Sequence, residues 1–168
     1  MRVFRAFFVG VGLALAPAMA LAQAQVAFGS LKGDPTLPVE VTSDQLDVNQ
    51  TSGVAVFTGS VIVVQGEMRL TAPTVEVNYD QSGQKIALIH ATGGVTMTNG
   101  GEAAEGAEAV YTVETGNVVM TGDVLLTQGS SAINGNKLTV DLNTGTGVME
   151  GRVQTVFVPA SAGETKAP

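Results

Sequence analysis

The chain has 168 residues, one histidine, no cysteine and a formal net charge of −7. Without cysteine the fold has no disulfides and no Cys-His zinc or nucleophile chemistry, so an apolar core must hold it together. An acidic chain is also unsuited to nucleic acid, because binding to phosphates depends largely on Lys and Arg. We therefore expect no nucleic acid partner, no metal and no cofactor.

The first 22 residues have the pattern of a secretory signal peptide. Two arginines precede an apolar stretch, Ala6 to Leu15, which is followed by Pro17 and by small residues at alternate positions up to Ala22. A basic start, a short apolar run and an Ala-x-Ala site are typical of a cleaved signal. The alternative, an uncleaved anchor, needs about 20 continuous apolar residues, and Pro17 argues against it. We predict cleavage after Ala22 or Ala24, which leaves a net charge of −9.

The rest of the chain divides into three parts. Residues 23–38 contain several glycines and prolines and are expected to form a flexible leader, and residues 159–168 are expected to form a disordered, polar tail. Residues 39–158 remain as a single domain of about 120 residues, which is enough for one hydrophobic core.

A short Gly-x-Val step occurs four times in this domain, at Gly59, Gly93, Gly122 and Gly151. The intervals between these glycines are 34, 29 and 29 residues, so the chain contains an internal repeat, and the longer first interval indicates an insertion. Apolar residues continue on both sides of each step. We therefore expect these glycines to be bulges or bends within long strands, not chain reversals.

Between the steps, apolar and polar residues alternate with the period of a half-buried strand, most clearly in Leu-Thr-Val-Asp-Leu at 138–142. Turn signals such as Thr51-Ser52-Gly53 follow in register, and Asn99-Gly100 and Asn134-Gly135 are predicted to be further turns where repeats join. The pattern predicts an all-β fold of about eight or more bent strands. It indicates a rolled or folded-over sheet that is open at its first and last strands.

Residues that could support catalysis are sparse. His90 lies just before the second Gly-x-Val step, where a structural role is expected, and no Gly-x-Ser-x-Gly elbow accompanies it. Glu102, Glu105 and Glu108 are close in sequence, as paired carboxylates for sugar hydrolysis could be. Their Ala and Gly neighbours favour a solvated loop or edge instead. The sequence therefore predicts a protein that is not an enzyme.

Four segments near the start of the domain carry a family resemblance. They are Ser-Asp-Gln-Leu-Asp-Val at 43–48, Gly-Val-Ala-Val-Phe-Thr-Gly-Ser-Val at 53–61, Val-Gln-Gly-Glu-Met-Arg-Leu at 64–70 and Ala-Pro-Thr-Val-Glu-Val at 72–77. These segments closely resemble the OstA-like domain of the LptA family of periplasmic lipopolysaccharide transport proteins. The likeness covers about residues 39–158, and its later repeats match mainly in pattern.

The resemblance implies an open, twisted β-jellyroll built from repeated two-strand units, whose apolar interior binds the acyl chains of lipopolysaccharide. It also implies a periplasmic location and end-to-end strand pairing between copies, which bridges the inner and outer membranes. The implied partners are lipopolysaccharide, an LptC-like subunit of the inner membrane, an LptD-like translocon of the outer membrane and further copies of the chain. The energy for transport comes from an ATPase elsewhere, so no cofactor is implied.

We predict a lipid-binding interior on the assumption that strand parity continues in a regular way across each Gly-x-Val step. Its eleven side chains are Phe57, Val61, Val63, Val75, Val77, Met97, Met120, Leu126, Leu138, Val140 and Met149. The domain has few basic residues, and Arg69 and Arg152 are the candidates for contact with lipid phosphates.

Two strands at the ends of the sheet are predicted to stay available for pairing with other copies. Leu46 and Val48 mark the first of them, and Val153, Val156 and Val158 mark the last. Two other interpretations stay open. An LptC-like subunit would keep its N-terminal segment as a membrane anchor, and a structural or adhesive β-solenoid would bind no lipid.

Overall fold

The computed structural model describes residues 25–27 and 32–157. The predicted signal peptide, Val158 and the predicted tail lie outside the described residues. The described parts of the chain contain eleven strands: β1 Gln25–Ala27, β2 Glu40–Thr42, β3 Gln45–Asn49, β4 Val54–Gln65, β5 Met68–Tyr79, β6 Ile86–Asn99, β7 Glu102–Thr112, β8 Asn117–Gln128, β9 Ser131–Asp141, β10 Thr146–Glu150 and β11 Gln154–Val156. Among these residues no helix is long and apolar enough to cross a membrane.

The strands form one antiparallel sheet in the order β1-β10-β9-β8-β7-β6-β5-β4-β2. The short strands β2 and β3 both pair with β4, and β10 and β11 both pair with β9. Short turns at 66–67, 100–101 and 129–130 join the strands at one end, and longer connections such as 113–116 and 142–145 join them at the other. The prediction of an all-β fold built from two-strand units is confirmed.

Each Gly-x-Val step bends its strand. The pairing register shifts at the first three steps, as between Thr58 and Val61 in β4, and the fourth step separates β10 from β11. In every step the glycine and the residue after it have positive φ, for example 85° at Gly122 and 50° at Asp123. Two consecutive left-handed residues form a bulge that turns the strand direction. The bulges predicted from the continuing apolar pattern are therefore confirmed at the first three steps.

The four bends form a continuous line across the sheet, which we call the spine. A Cβ atom added at Gly122 would lie 2.5 Å from Cβ of Ala107, so this glycine allows a close approach of two strands as well as a left-handed φ. The same kind of contact joins Gly59 to Asp44, Gly93 to Pro73 and Gly151 to Asn136.

The spine folds the sheet over on itself, so one face of the sheet becomes an interior. We call its two parts the short-turn half and the long-turn half, after the connections at their ends. No other layer among the described residues covers this face, yet a continuous cluster of apolar side chains from both halves is almost fully buried. The two halves therefore enclose one core, and the hairpin turns of both line the open side opposite the spine.

The bulges also decide which side chains point inward. On β4, β6 and β8 the inward positions keep the same parity across the bend, as Phe57 and Val61 do. At each bend the two bulge residues face a single residue of the partner strand. The inward side chains of the partner strands β5, β7 and β9 therefore change from even to odd positions or the reverse, as from Ala72 to Val75 in β5.

One predicted turn was wrong, because Asn134-Gly135 lies inside β9. Gly135 is buried, and a Cβ atom there would lie 2.6 Å from Cγ of Met149. This glycine makes room for a core side chain and does not reverse the chain. Asn99-Gly100 does lead into the turn between β6 and β7, as predicted.

The longer first interval of the repeat contains the connection at 80–85, which is longer than its equivalents at 113–116 and 142–145. Asp80 closes this connection. The Ser82 hydroxyl lies 2.8 Å from both carboxylate oxygens and donates its one proton to this carboxylate, and the Gln84 backbone N–H donates a hydrogen bond of 3.1 Å. These bonds, that of Ser82 foremost, lower the pKa of Asp80.

Candidate functional site

The predicted interior positions lie inside the folded sheet. Ten of the eleven side chains are at most 3% exposed: Val61, Val63, Val75, Val77, Met97, Met120, Leu126, Leu138, Val140 and Met149. Phe57 is half-buried and packs against their cluster. The space between the two halves is therefore lined mainly by apolar side chains, which come from every strand from β4 to β10.

Sequence analysis missed fourteen of the 24 buried apolar residues of this interior, among them Leu70, Ile89, Tyr111, Val124 and Leu142. Tyr111 lies in an alternating stretch, so the period-two pattern contained a signal for it. Its orientation depends on the one-residue shift of β7 at the spine, which alternation within one strand does not show.

Three polar side chains, Gln65, Asn99 and Glu102, are buried at the ends of strands in the short-turn half. Gln65 accepts a hydrogen bond of 2.7 Å from the hydroxyl of Tyr111, which belongs to the long-turn half. This bond ties the two halves together on the open side. Burial raises the pKa of the Tyr111 hydroxyl, because the phenolate would lose its hydration.

Residues 32–38 cross the open side, and we call this segment the strap. The sequence assigned it to a flexible leader. The side-chain amide of Gln65 donates to two of its backbone carbonyls, at 3.2 Å to Pro35 and 2.8 Å to Leu37. The strap is thus attached to the same glutamine that receives the Tyr111 hydrogen bond.

Two further hydrogen bonds fix the start of the strap. The side-chain amide of Asn99 donates to the Lys32 carbonyl at 3.2 Å, and the Gly33 backbone N–H donates to the Leu142 carbonyl at 2.9 Å. Asn99 ends a strand of the short-turn half, whereas Leu142 follows a strand of the long-turn half. The strap therefore bridges both rows of turns without pairing as a strand.

A cleft of about 750 Å³ lies beside the strap. Its walls include Pro35 and Leu37 of the strap, Gln65 of the short-turn half, and Ile86 and Val113 of the long-turn half. Ile86 and Val113 also pack against the buried core. The cleft thus lies between solvent and the apolar core on the open side.

The edge strands at the two ends of the sheet expose apolar side chains. On β3, Leu46 and Val48 are 51% and 60% exposed, and at the other end Val156 and Phe157 are 62% and 73% exposed. Within the described residues, β3 pairs with β4 alone and β11 with β9 alone. Val153 precedes β11, and β1 pairs with the outer edge of β10.

Comparison with known proteins identifies the family. The sequence profile of the family described as "LptA/(LptD N-terminal domain) LPS transport protein" matches residues 40–146. The chain belongs to this LptA/LptD N-terminal domain family. Among relatives, it is 31% identical to the lipopolysaccharide export system protein LptA of Escherichia coli over 135 residues, which cover 77% of this chain and 73% of that protein.

Two further comparisons extend the family relationship. The chain is 36% identical over 74 residues to the lipopolysaccharide export system protein LptH of Pseudomonas aeruginosa, covering 44% of this chain and 38% of that protein. The crystal structure of LptH superposes with a TM-score of 0.69 at 22% identity, covering 76% of this chain and 99% of that one. The structural likeness supports the β-jellyroll fold.

In this LptA-family chain the acidic residues considered for catalysis are separated from one another. Glu102 is buried and accepts a hydrogen bond from Gln128, whereas Glu105 points to solvent. Glu108 contacts His90, with 2.5 Å between Oε1 and Nε2, and both side chains are partly exposed. Within residues 25–27 and 32–157, no group of three or more His, Asp or Glu side chains could hold a metal.

The prediction that these glutamates lie in a solvated loop or at the edge of the sheet was wrong. They lie in β7, which pairs with strands on both sides. The reason is that the alternate positions, such as Ala104 and Ala109, face the core, so the small residues form a strand and not a loop.

The two arginines predicted to contact phosphate lie outside the interior of this LptA-family fold. Arg69 is exposed on β5, near the short turn that precedes this strand, and Arg152 is exposed at the fourth bend. β5 and the β10–β11 junction lie in distant parts of the strand order. The fold therefore does not bring these arginines into one site.

Proposed function

We propose that this protein is a periplasmic, non-enzymatic carrier that shelters the acyl chains of lipopolysaccharide between the two halves of its sheet. The observation that carries this proposal is the enclosed interior, lined by apolar side chains of both halves. The names of the E. coli and P. aeruginosa relatives, which describe lipopolysaccharide export, support the same substrate. Delivery to this compartment would follow cleavage of the predicted signal peptide.

The interior favours acyl chains over a polar headgroup. Burial of about a dozen methylenes yields on the order of 10 kcal/mol, at roughly 0.8 kcal/mol per CH₂ group. The mature chain has a net charge of −9, which would repel the phosphates of the headgroup. Met97, Met120 and Met149 add flexible side chains that can adjust to chains of different shape.

We also propose that copies of the protein pair end to end, with β3 of one copy adding to β11 of the next. Exposed edge strands are normally blocked, because their free N–H and C=O groups invite pairing. Leu46, Val48 and Val156 leave both edges apolar, as strand addition requires. The same edges would receive an LptC-like subunit and an LptD-like translocon, which would complete a bridge between the membranes.

Photo-crosslinking tests the lipid proposal. A photoreactive residue at Phe57 or Met120 should crosslink to purified lipopolysaccharide, because both side chains face the interior. The matched control is the same residue at Val119, the neighbour of Met120 on β8, which points the other way. Equal crosslinking from Met120 and Val119, or none from the interior positions, would contradict the proposal and favour a structural β-solenoid.

Association in solution tests the pairing proposal. Replacing Leu46 and Val48 together by lysine should reduce the size of assemblies measured by analytical ultracentrifugation, because charged edge strands resist addition. Lysine at Val119, on a strand paired on both sides, should leave assembly unchanged. Assemblies that survive the edge substitutions would overturn end-to-end pairing through β3. An intact N-terminal segment in the exported protein, measured by mass, would favour the LptC-like alternative.

A further inference from the structure

The strap covers buried polar groups but is itself poorly buried. None of residues 32–38 belongs to a strand, and none is buried. Gln65 and Asn99 beneath it are at most 3% exposed. Segments with few buried contacts and exposed hydrogen bonds are the ones that open at low free-energy cost. The strap is therefore the part of the open side that can move with the least disruption.

The strap lies at the boundary between solvent and the interior. Val39, which continues the chain beyond the strap, lines the same cleft as Ile86 and Val113, and all three pack against the core. Outward movement of the strap would widen this cleft, whose rim also carries the polar side chains of Gln84 and Lys85, towards the apolar surface of the core. An acyl chain is the ligand that fits such a surface.

Two buried oxygen atoms lie where β6 ends and β7 begins, and one of them belongs to Asn99, which contacts the start of the strap. Asn99 Oδ1 and Glu102 Oε2 have no hydrogen-bond partner in the described part of the chain, although both are shielded from solvent. Buried acceptors without donors are unfavourable, and contact with water would satisfy them. Displacement of the strap from Asn99 therefore recovers part of the free energy that is lost with the Lys32 hydrogen bond.

We propose that the strap, residues 32–38, is a displaceable cover, and that an acyl chain passes sideways into the interior through the cleft once Gln65 and Asn99 release the strap carbonyls. This inference rests on the proposed function. Gln65 is the main attachment, because it binds two strap carbonyls and also receives the Tyr111 hydroxyl. Release at Gln65 thus frees the strap and loosens the tie between the halves.

A disulfide between the strap and the long-turn half tests this inference. A Cβ atom at Gly33 would lie 3.6 Å from Cβ of Leu142, which is within the disulfide range of about 3.5–4.5 Å. The chain has no cysteine of its own, so the pair Gly33→Cys and Leu142→Cys can form only the intended bond within one molecule. Formation of the bond is followed by mass and by mobility under non-reducing conditions.

We expect the oxidised double variant to lose crosslinking between purified lipopolysaccharide and a photoreactive residue at Met120. The same protein after reduction should recover crosslinking, which controls for the cost of replacing buried Leu142. Equal crosslinking before and after reduction would overturn the strap inference and leave the proposed function intact. Absence of crosslinking in both the reduced variant and the unmodified chain would overturn the proposed function itself. Failure of the disulfide to form would contradict the strap position.

A second pair of variants distinguishes the effect of the strap hydrogen bonds from the effect of the Gln65–Tyr111 bond between the halves. Gln65→Leu removes the two strap hydrogen bonds and the Tyr111 bond, whereas Tyr111→Phe removes the latter alone. Lipid crosslinking should be about tenfold faster in Gln65→Leu than in Tyr111→Phe, because two hydrogen bonds no longer hold the strap closed. Equal rates in the two variants would show that the strap does not limit access.

Discussion

The spine and the open side join the same two halves of the sheet in different ways. Along the spine the backbone itself runs from one half to the other, and a Cβ atom would clash at Gly59, Gly122 and Gly151 and be tightly packed at Gly93. On the open side the halves are joined by the bond between Gln65 and Tyr111 and by the strap. One boundary is continuous with the sheet, and the other depends on a few side-chain hydrogen bonds.

This difference indicates how a packed interior could admit a ligand. The interior side chains are almost fully buried, so an added acyl chain requires the halves to move apart. Movement on the open side breaks individual hydrogen bonds and leaves the strand ladders intact. Movement at the spine would break the pairing between strands. Separation of the two halves would therefore cost less on the open side than at the spine.

The largest expected effect is at the spine. Gly122→Ala forces a side chain onto a backbone with φ of 85° and places its Cβ 2.5 Å from that of Ala107. We expect the free energy of unfolding in urea to fall by about 3 kcal/mol, from backbone strain and overlap together. The control, Gly83→Ala, has φ of 68° but open space around the new Cβ, and should cost about 1 kcal/mol. Equal losses would show that the close approach at the spine contributes nothing.

A smaller effect is expected on the open side. Tyr111→Phe leaves the buried Gln65 oxygen without its donor, and the free energy of unfolding should fall by about 1–2 kcal/mol. The chain has one other tyrosine, Tyr79, which is partly exposed, and Tyr79→Phe should change stability by less than about 0.5 kcal/mol. An unchanged free energy of unfolding in Tyr111→Phe would mean that the bond between Gln65 and Tyr111 does not stabilise the fold.

The same tie predicts a dependence of stability on alkaline pH. Burial raises the pKa of Tyr111 in the folded protein above the ordinary tyrosine value of about 10. The folded state therefore holds this proton more tightly than the unfolded state, so its contribution is complete below pH 10 and is lost as pH rises through the raised pKa. Urea unfolding across this window should show the loss in the unmodified chain and in Tyr79→Phe. This alkaline loss of stability should be absent in Tyr111→Phe. If the loss persists in that variant, another titrating group causes it.

The smallest effect is expected in the strap. Leu37→Ala removes a side chain that is 41% exposed and touches the turn at Gly66. Its free energy of unfolding should change by no more than about 0.5 kcal/mol. A loss comparable to that of a core substitution would show that the strap is part of the stable fold and would remove the contrast with the spine.

Sequence periodicity placed ten of the 24 buried apolar side chains correctly, because the bulges are regular. Each Gly-x-Val strand keeps its parity through the bend, so Val61 and Val63 could be placed from Phe57 by alternation. Gln65 continues the same inward series, and a polar residue at such a position was a signal for a buried hydrogen-bonding role. The period by itself could not supply its partners, because Pro35, Leu37 and Tyr111 lie 28 or more residues away.

The local sequence by itself determined the all-β pattern, most of the long strands and the bulges at Gly59, Gly93 and Gly122, since alternation and left-handed φ are properties of short segments. The LptA-like motifs at 43–77 determined the family for the same reason. Only the tertiary structure decided that the leader crosses the open side, that β1 pairs with β10 and that Gln65 links three segments. The strap and β1 contacts use backbone groups, which every residue has, and the Tyr111 hydroxyl that reaches Gln65 lies 46 residues away, so local periodicity could not predict these partners.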